Sequence, residues 1–299
     1  MNFSILYIFA CMTTIRKTAC LDLLKIAVLL LSVVTWSCKK ESPPATEVIS
    51  KDVAYGESAQ QKMDIYLPHN RSRGETKTII VIHGGGWVEG DKSEMNQYVD
   101  TLRKRLPDYA VVNLNYRLAY NNSVNLFPTQ ENDVKSAIEY FTDHAAEFMV
   151  SDDIVLLGAS AGGHLAMLHA YKNDPGGYVR AVIDFFGPFD LMSLWDYSIV
   201  HQLILYGATG VFPVDNPALY ASSSPSEFIT TGSPPTIALQ GGADLLVPPS
   251  QTTMLISSLD AAGVVNKMVY YPGESHGWTG ANLVDSFNKI VKFISDNVE

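Results

Sequence analysis

The chain has 299 residues, 47% of them hydrophobic and 17% charged, which are the proportions of an ordinary globular core. Its 31 acidic and 21 basic side chains leave a formal charge of −10, a field that disfavours nucleic acid and anionic membrane surfaces and suits neutral ligands. All three cysteines (Cys11, Cys20 and Cys38) fall before residue 39, so the remainder carries no internal disulfide, no cysteine-ligated zinc and no cysteine nucleophile.

The first element in chain order is an export-type leader. Arg16, Lys17 and Lys25 precede residues 26–36, an uncharged run of 11 that fits the ~7–15-residue apolar core of a signal and falls short of the ~20 needed to span a bilayer. Ser37-Cys38-Lys39-Lys40 closes the run and resembles a lipoprotein cleavage site, in a loose version of the usual small-residue pattern. The expectation is a signal over residues 1–37, a lipid anchor on Cys38, and a periplasmic or cell-surface location. A plain secretory signal with an incidental cysteine is the alternative, and Met12 is an alternative start. Residues 38–50, with two adjacent prolines, read as a tether, and residues 51–299 as the folded domain.

Residues 63–67 alternate in polarity and predict an outer strand ending at Pro68. Residues 78–82, 110–114, 154–157, 181–185, 236–239 and 268–271 are continuous apolar runs, as in a parallel sheet covered on both faces. Helical periodicity fits 98–106, 133–148, 160–171, 251–262 and 283–298. The alternation predicts a doubly wound α/β fold, mostly parallel, with ligands bound beyond the carboxyl ends of the strands. From 187 to 233 no strand is evident, and Phe189, Trp195, Tyr197, Tyr206, Phe212, Tyr220 and Phe228 are scattered among Pro, Ser and Asp. This insertion reads as a small cap over the site; the alternative is a long crossover whose aromatics pack on the sheet.

Gly158-Ala159-Ser160-Ala161-Gly162 is a G-x-S-x-G turn between a predicted strand and helix, where flanking glycines allow a strained turn that exposes the serine. A serine hydroxyl needs a base, and His276 is the one histidine after the loop aspartate Asp244. His69, His83, His144, His164, His169 and His201 lie upstream, out of the order this fold uses, and read as structural, with His169 a satisfied packing residue. Asp215, Asp260 and Glu274 compete with Asp244 on order alone. The first falls in the insertion, the second on a helix, and the third lies too near His276 to come round behind its ring. His83-Gly84-Gly85-Gly86-Trp87 follows a strand, and no G-K-[ST] follows it, which argues against a phosphate cradle. The N–H groups of Gly85, Gly86 and Ala161 are the candidate oxyanion donors, with His83 holding the loop by a hydrogen bond. Trp87, Phe189 and Trp278 are candidate pocket walls.

Together with Asn115-Tyr116-Arg117-Leu118, Gly163-His164-Leu165-Ala166, Asp244-Leu245-Leu246-Val247-Pro248 and His276-Gly277, these motifs resemble α/β-hydrolase esterases related to hormone-sensitive lipase. The H-G-G-G-W and S-A-G-G-H-L-A pair is similar to bacterial carboxylesterases that include acetylxylan and feruloyl esterases. The resemblance covers about residues 50–299 and implies Ser160 as nucleophile, Asp244 and His276 as its partners, and Gly85, Gly86 and Ala161 as the oxyanion hole. It implies no metal or organic cofactor. Gln240-Gly241-Gly242 departs from relatives that often carry histidine and an acidic residue there. The expected activity is that of a serine carboxylesterase hydrolysing short-chain or aromatic carboxylic esters via an acyl-enzyme, with deacetylation or deferuloylation of plant polysaccharide fragments as the expected setting. The alternatives are an arylformamidase-like amide hydrolase and a non-catalytic binding module.

Overall fold

A computed structural model describes residues 45–298. The expected signal, Cys38 and most of the expected tether lie outside the described residues. Eight strands form one sheet in the order β1-β2-β4-β3-β5-β6-β7-β8. They are β1 (Val48–Ala54), β2 (Lys62–Leu67), β3 (Thr78–Ile82), β4 (Ala110–Leu114), β5 (Ile154–Ala159), β6 (Val179–Phe185), β7 (Thr236–Gly241) and β8 (Asn266–Tyr271). The pairs β1–β2 and β2–β4 are antiparallel and all others parallel. The central runs Thr-Ile-Ile-Val-Ile of β3 and Ala-Val-Val-Asn-Leu of β4 are buried throughout, because helices cover both faces.

Those helices are α1 (Asn96–Arg105), α2 (Thr129–Asp143), α3 (Ala145–Phe148), α4 (Ala161–Lys172), α5 (Leu191–Trp195), α6 (Ile199–Thr209), α7 (Pro217–Ser222), α8 (Pro249–Ala261) and α9 (Gly280–Asn297). Val134, Leu165 and Leu255, from α2, α4 and α8, belong to the core on one face of the sheet. Val99 of α1 and Phe287 and Ile290 of α9 belong to the core on the other. This sandwich leaves the carboxyl ends of the parallel strands free to carry loops.

Three sequence expectations change. The strand at 63–67 is not the outer one, since β1 pairs outside it and five of the six residues of β2 are buried. The expected tether runs to residue 50, whereas β1 begins at Val48. Asp52 at φ 54° and the shifted register between Ser50 and Val53 interrupt the alternation that would have marked β1 as a strand. The single helix expected over 133–148 is divided at His144, whose ring Nδ1 lies 2.7 Å from the Tyr140 carbonyl. Met149, in the left-handed region at φ 58°, then ends α3.

Between residues 187 and 233 the structure has only α5, α6, α7 and a short 3-10 turn (Pro225–Glu227). Its aromatics divide: Trp195 meets Phe212 and Tyr220 edge-on and Tyr206 stacks on Phe212 at 4.8 Å within the segment, while Phe189 and Tyr220 join the core on one sheet face and Phe228 packs against it.

Candidate active site

The strand-to-helix turn at Ser160 explains its own glycines. Ser160 sits at φ 54°, ψ −123°, a strained conformation that turns the chain sharply from β5 into α4. A Cβ on Gly158 would lie 2.1 Å from the Gly162 carbonyl oxygen, and one on Gly162 would lie 2.2 Å from the Ile82 oxygen. Neither position tolerates a side chain. The Ser160 N–H donates to the Phe185 carbonyl at 2.8 Å, and the Ser160 carbonyl receives the His164 N–H at 3.0 Å.

β7 and β8 deliver the other two groups. The Gly242 N–H donates to the Tyr271 carbonyl and the Ala243 N–H to the Glu274 carbonyl, both at 2.8 Å. These bonds clamp the Asp244 loop to the His276 loop. His276 Nε2 lies 2.9 Å from Ser160 Oγ, and His276 Nδ1 lies 2.7 Å from Asp244 Oδ2. The structure thus brings together Ser160, His276 and Asp244 from positions 116 and 32 residues apart. Asp215, Asp260 and Glu274 take no part; Glu274 instead accepts from Asn282.

A buried carboxylate must be satisfied. Asp244 Oδ1 accepts the N–H groups of Leu246 and Val247, each at 2.9 Å, and Oδ2 also receives Gln240 Nε2–H at 3.3 Å. Gln240 is itself fixed by Thr252, whose hydroxyl donates to Oε1 at 2.7 Å. The position at which the sequence departs from its relatives is therefore a support for the acid.

The glycine loop lies against Ser160: a Cβ on Gly84 would fall 3.2 Å from the serine Cβ. Gly85, at φ +103°, accepts the Val88 and Glu89 N–H groups at its carbonyl, and a Cβ there would meet the Glu89 oxygen at 2.0 Å. Among the described residues, the N–H groups of Gly85, Gly86 and Ala161 have no acceptor, and Ala161 is the first residue of α4. His83 Nδ1 lies 2.7 Å from the Gly84 carbonyl, its ring stacks on Tyr116 at 4.3 Å, and the Tyr116 hydroxyl donates to the His83 and Gly84 carbonyls. Burial holds His83 below the usual histidine range, so the neutral ring donates from Nδ1.

A cavity of about 470 Å³ opens over Ser160 and His276. Of the three expected wall residues, only Trp87 borders it, and its indole is buried: Nε1–H donates to His164 Nδ1 at 3.3 Å and the ring meets Phe127 edge-on. His164 Nε2 in turn reaches the Ser223 carbonyl at 2.7 Å, linking the glycine loop, α4 and the end of the insertion. Phe189 and Trp278 do not line the cavity. Phe189 is buried in the sheet core, and Trp278 packs on Phe185, Phe186 and Tyr271 with its Nε1–H on Ser286.

The walls are instead Phe186, with its ring 4.6 Å from the His276 imidazole, together with Tyr98, Leu194, Ile204 and Val247. Phe186 has φ 45°, which re-aims the chain at the end of β6. Its place at a strand end directly before the insertion was the available signal. Burial pushes the Tyr98 phenol up to about 12, so it stays neutral. A wider groove of about 700 Å³ between α1 and α9 holds no part of the Ser160 relay, so size alone does not locate the chemistry.

Two buried titratable groups lie nearby. Asp184, at the end of β6, accepts the Gly187 N–H at Oδ1, leaves Oδ2 unpartnered among the described residues, and is pushed by burial up to about 7. A Cβ on Gly163 would lie 2.2 Å from its Oδ1, which accounts for the third glycine of the turn. His169 is buried with Nδ1 unpartnered among the described residues, so it is not the satisfied packing residue expected; burial lowers it to about 4.

The comparisons with known proteins agree with this architecture. The BD-FAE family model matches residues 63–259. A probable isoprenylcysteine alpha-carbonyl methylesterase, ICMEL1 of Arabidopsis thaliana, is 25% identical over 248 residues, covering 76% of this chain and 51% of its own. The probable carboxylic ester hydrolase LipM of Mycobacterium tuberculosis is 30% identical over 225 residues, covering 70% and 51%. The chain thus spans about half the length of these two curated relatives. Among solved structures, a bifunctional GH43-CE of Bacteroides eggerthii superposes with a TM-score of 0.73 at 26% identity, over 84% of this chain and 38% of that one. By sequence model and by fold, the chain belongs to the BD-FAE family of α/β-hydrolase esterases.

Proposed function

We propose that this chain is a serine carboxylesterase that hydrolyses short-chain or aromatic carboxylic esters through an acyl-enzyme. The observation that carries the reading is the unbroken relay from Ser160 through His276 to Asp244 at the floor of an apolar-walled cavity. Ser160 Oγ attacks the ester carbonyl while His276 Nε2 takes its proton; Asp244 holds the Nδ1–H tautomer and stabilises the imidazolium. The N–H groups of Gly85, Gly86 and Ala161 receive the charge that develops on the carbonyl oxygen. The protonated His276 then returns its proton to the departing alkoxide, and water, activated by the same ring, releases the acid.

A cavity of about 470 Å³ suits a small acyl group or one aromatic ring, with a bulky alcohol left outside. The name of LipM, a probable carboxylic ester hydrolase, supports an ester substrate, and a polysaccharide fragment is the alcohol we favour. Steady-state rates on a panel running from aryl acetate to feruloylated arabinose, with N-formylkynurenine alongside, test this. Ester hydrolysis abolished by Ser160→Ala is expected; faster turnover of the formamide would overturn the ester assignment.

We further propose that residues 1–37 direct export and that Cys38 carries a lipid anchor. The support is the basic and then apolar pattern of the leader and the position of Cys38 at its end. Metabolic labelling with a fatty acid, lost in Cys38→Ala, is the expected result; label retained by that variant would refute the anchor.

A further inference from the structure

His201 lies on α6, inside the insertion, yet its ring nitrogens are committed to the loop that cages the triad acid. Nε2 lies 2.9 Å from the Leu246 carbonyl oxygen, and Nδ1 lies 2.7 Å from Ser198 Oγ. A carbonyl can only accept, so Nε2 carries the proton and Nδ1 accepts from the Ser198 hydroxyl. Ser198 is the N-cap residue of α6, but its side chain caps no backbone N–H and is turned to the imidazole. The carbonyl thereby sets the tautomer, and the Ser198 hydroxyl, which can donate or accept, satisfies the remaining nitrogen from three residues away. The ring is buried, and Tyr197 meets it edge-on at 5.1 Å.

The carbonyl that His201 binds belongs to the peptide group whose N–H, on Val247, donates to Asp244 Oδ1 at 2.9 Å. One hydrogen-bonded chain therefore runs from the Ser198 hydroxyl through His201 and that peptide to Asp244, and on through His276 to Ser160. Each bond in such a chain polarises the next. Val247 is buried, but packing does little for the two residues before it, Leu245 being 75% and Leu246 48% exposed. Gln240 holds the Val247 carbonyl at 3.2 Å, and His201 holds that of Leu246. The same helix also covers the oxyanion loop, with Ile204 Cγ2 3.3 Å from where a Gly86 Cβ would be.

We propose that His201 is a positioning residue for the triad acid, so that seating α6 and aligning Asp244 with His276 are a single event. The proposal rests on the Ser160 relay being the catalytic machinery. Three variants separate the roles. His201→Phe removes both nitrogens at similar volume, His201→Gln keeps a donor within reach of the Leu246 carbonyl, and Ser198→Ala removes the partner of Nδ1 that steadies the ring.

Two readings are taken on each variant. The first is kcat and KM on a small aryl acetate as a function of pH. The second is the downfield NMR signal of the His276 Nδ1–H in unliganded enzyme. For His201→Phe, kcat falls about tenfold, the effect of one lost hydrogen bond carried into a rate, while KM stays within about twofold. The His276 signal broadens or moves upfield as Asp244 loosens its hold on the ring, and the fall in kcat persists where the rate no longer varies with pH. His201→Gln recovers most of each change, and Ser198→Ala falls between. An increase in KM alone, with kcat and the His276 signal unchanged, would overturn the proposal and leave His201 as a pocket wall. If His201→Phe fails to give a cooperative melt, the same two readings on Ser198→Ala decide. The NMR reading needs no turnover, so a wild-type enzyme inert toward esters would sink the catalytic reading separately.

Discussion

Asp184→Asn isolates the most strongly perturbed carboxyl near the site. The unfolded carboxyl titrates near 3.8, whereas burial raises the folded one to about 7. Between these values the folded state retains a proton that the unfolded chain has released. The stabilising contribution is therefore complete below about pH 4, is lost as pH rises to 7, and changes no further above that. At ~1.4 kcal/mol per pH unit, the gap between 3.8 and about 7 amounts to about 4 kcal/mol. Asparagine keeps the oxygen that accepts the Gly187 N–H and does not titrate. His83, His164 and His169, all held low by burial, lose stability in the opposite direction as pH falls, but they do so equally in both proteins. The assay is urea unfolding of wild type and Asp184→Asn at half-unit steps from pH 4 to 8. The wild type is expected to lose stability relative to the variant across this window, with the difference levelling off above pH 7. Parallel curves over the whole range would refute the assignment of a neutral carboxyl beneath the nucleophile turn.

Three further outcomes follow from the site's geometry. Gly85→Ala places a Cβ 2.0 Å from the Glu89 oxygen and displaces an oxyanion donor; kcat should fall by about 10²–10³ with a smaller change in KM, measured on aryl acetate. Phe186→Ala should change the ranking of acyl groups by kcat/KM, while Trp278→Phe, which loses the Nε1–H bond to Ser286, should lower the melting temperature without changing that ranking.

The parallel core was readable because strands buried on both faces become unbroken apolar runs, as at 78–82 and 110–114. The edge was not: β1 has an irregular register and positive φ at Asp52, so no simple period marks it. Ser160, Asp244 and His276 stood out because the strained turn and the order of the loops require particular residue types at particular places. The cavity walls did not stand out. Trp278 and Phe189 look like ligand-facing aromatics in a linear string, but only tertiary packing tells that their rings face the core while Phe186 faces His276. The roles of Gln240 and His201 were hidden for the same reason, since each depends on a hydrogen bond to a distant loop.

Whether Ser160 is the nucleophile, driven by His276, is decided by intact-mass and peptide mapping after reaction with a fluorophosphonate. A single adduct on Ser160 is expected, absent in Ser160→Ala and formed at least about a hundredfold more slowly, on the order of the loss of a general base, in His276→Ala. An adduct on another residue, or labelling of Ser160 at an undiminished rate without His276, would contradict it.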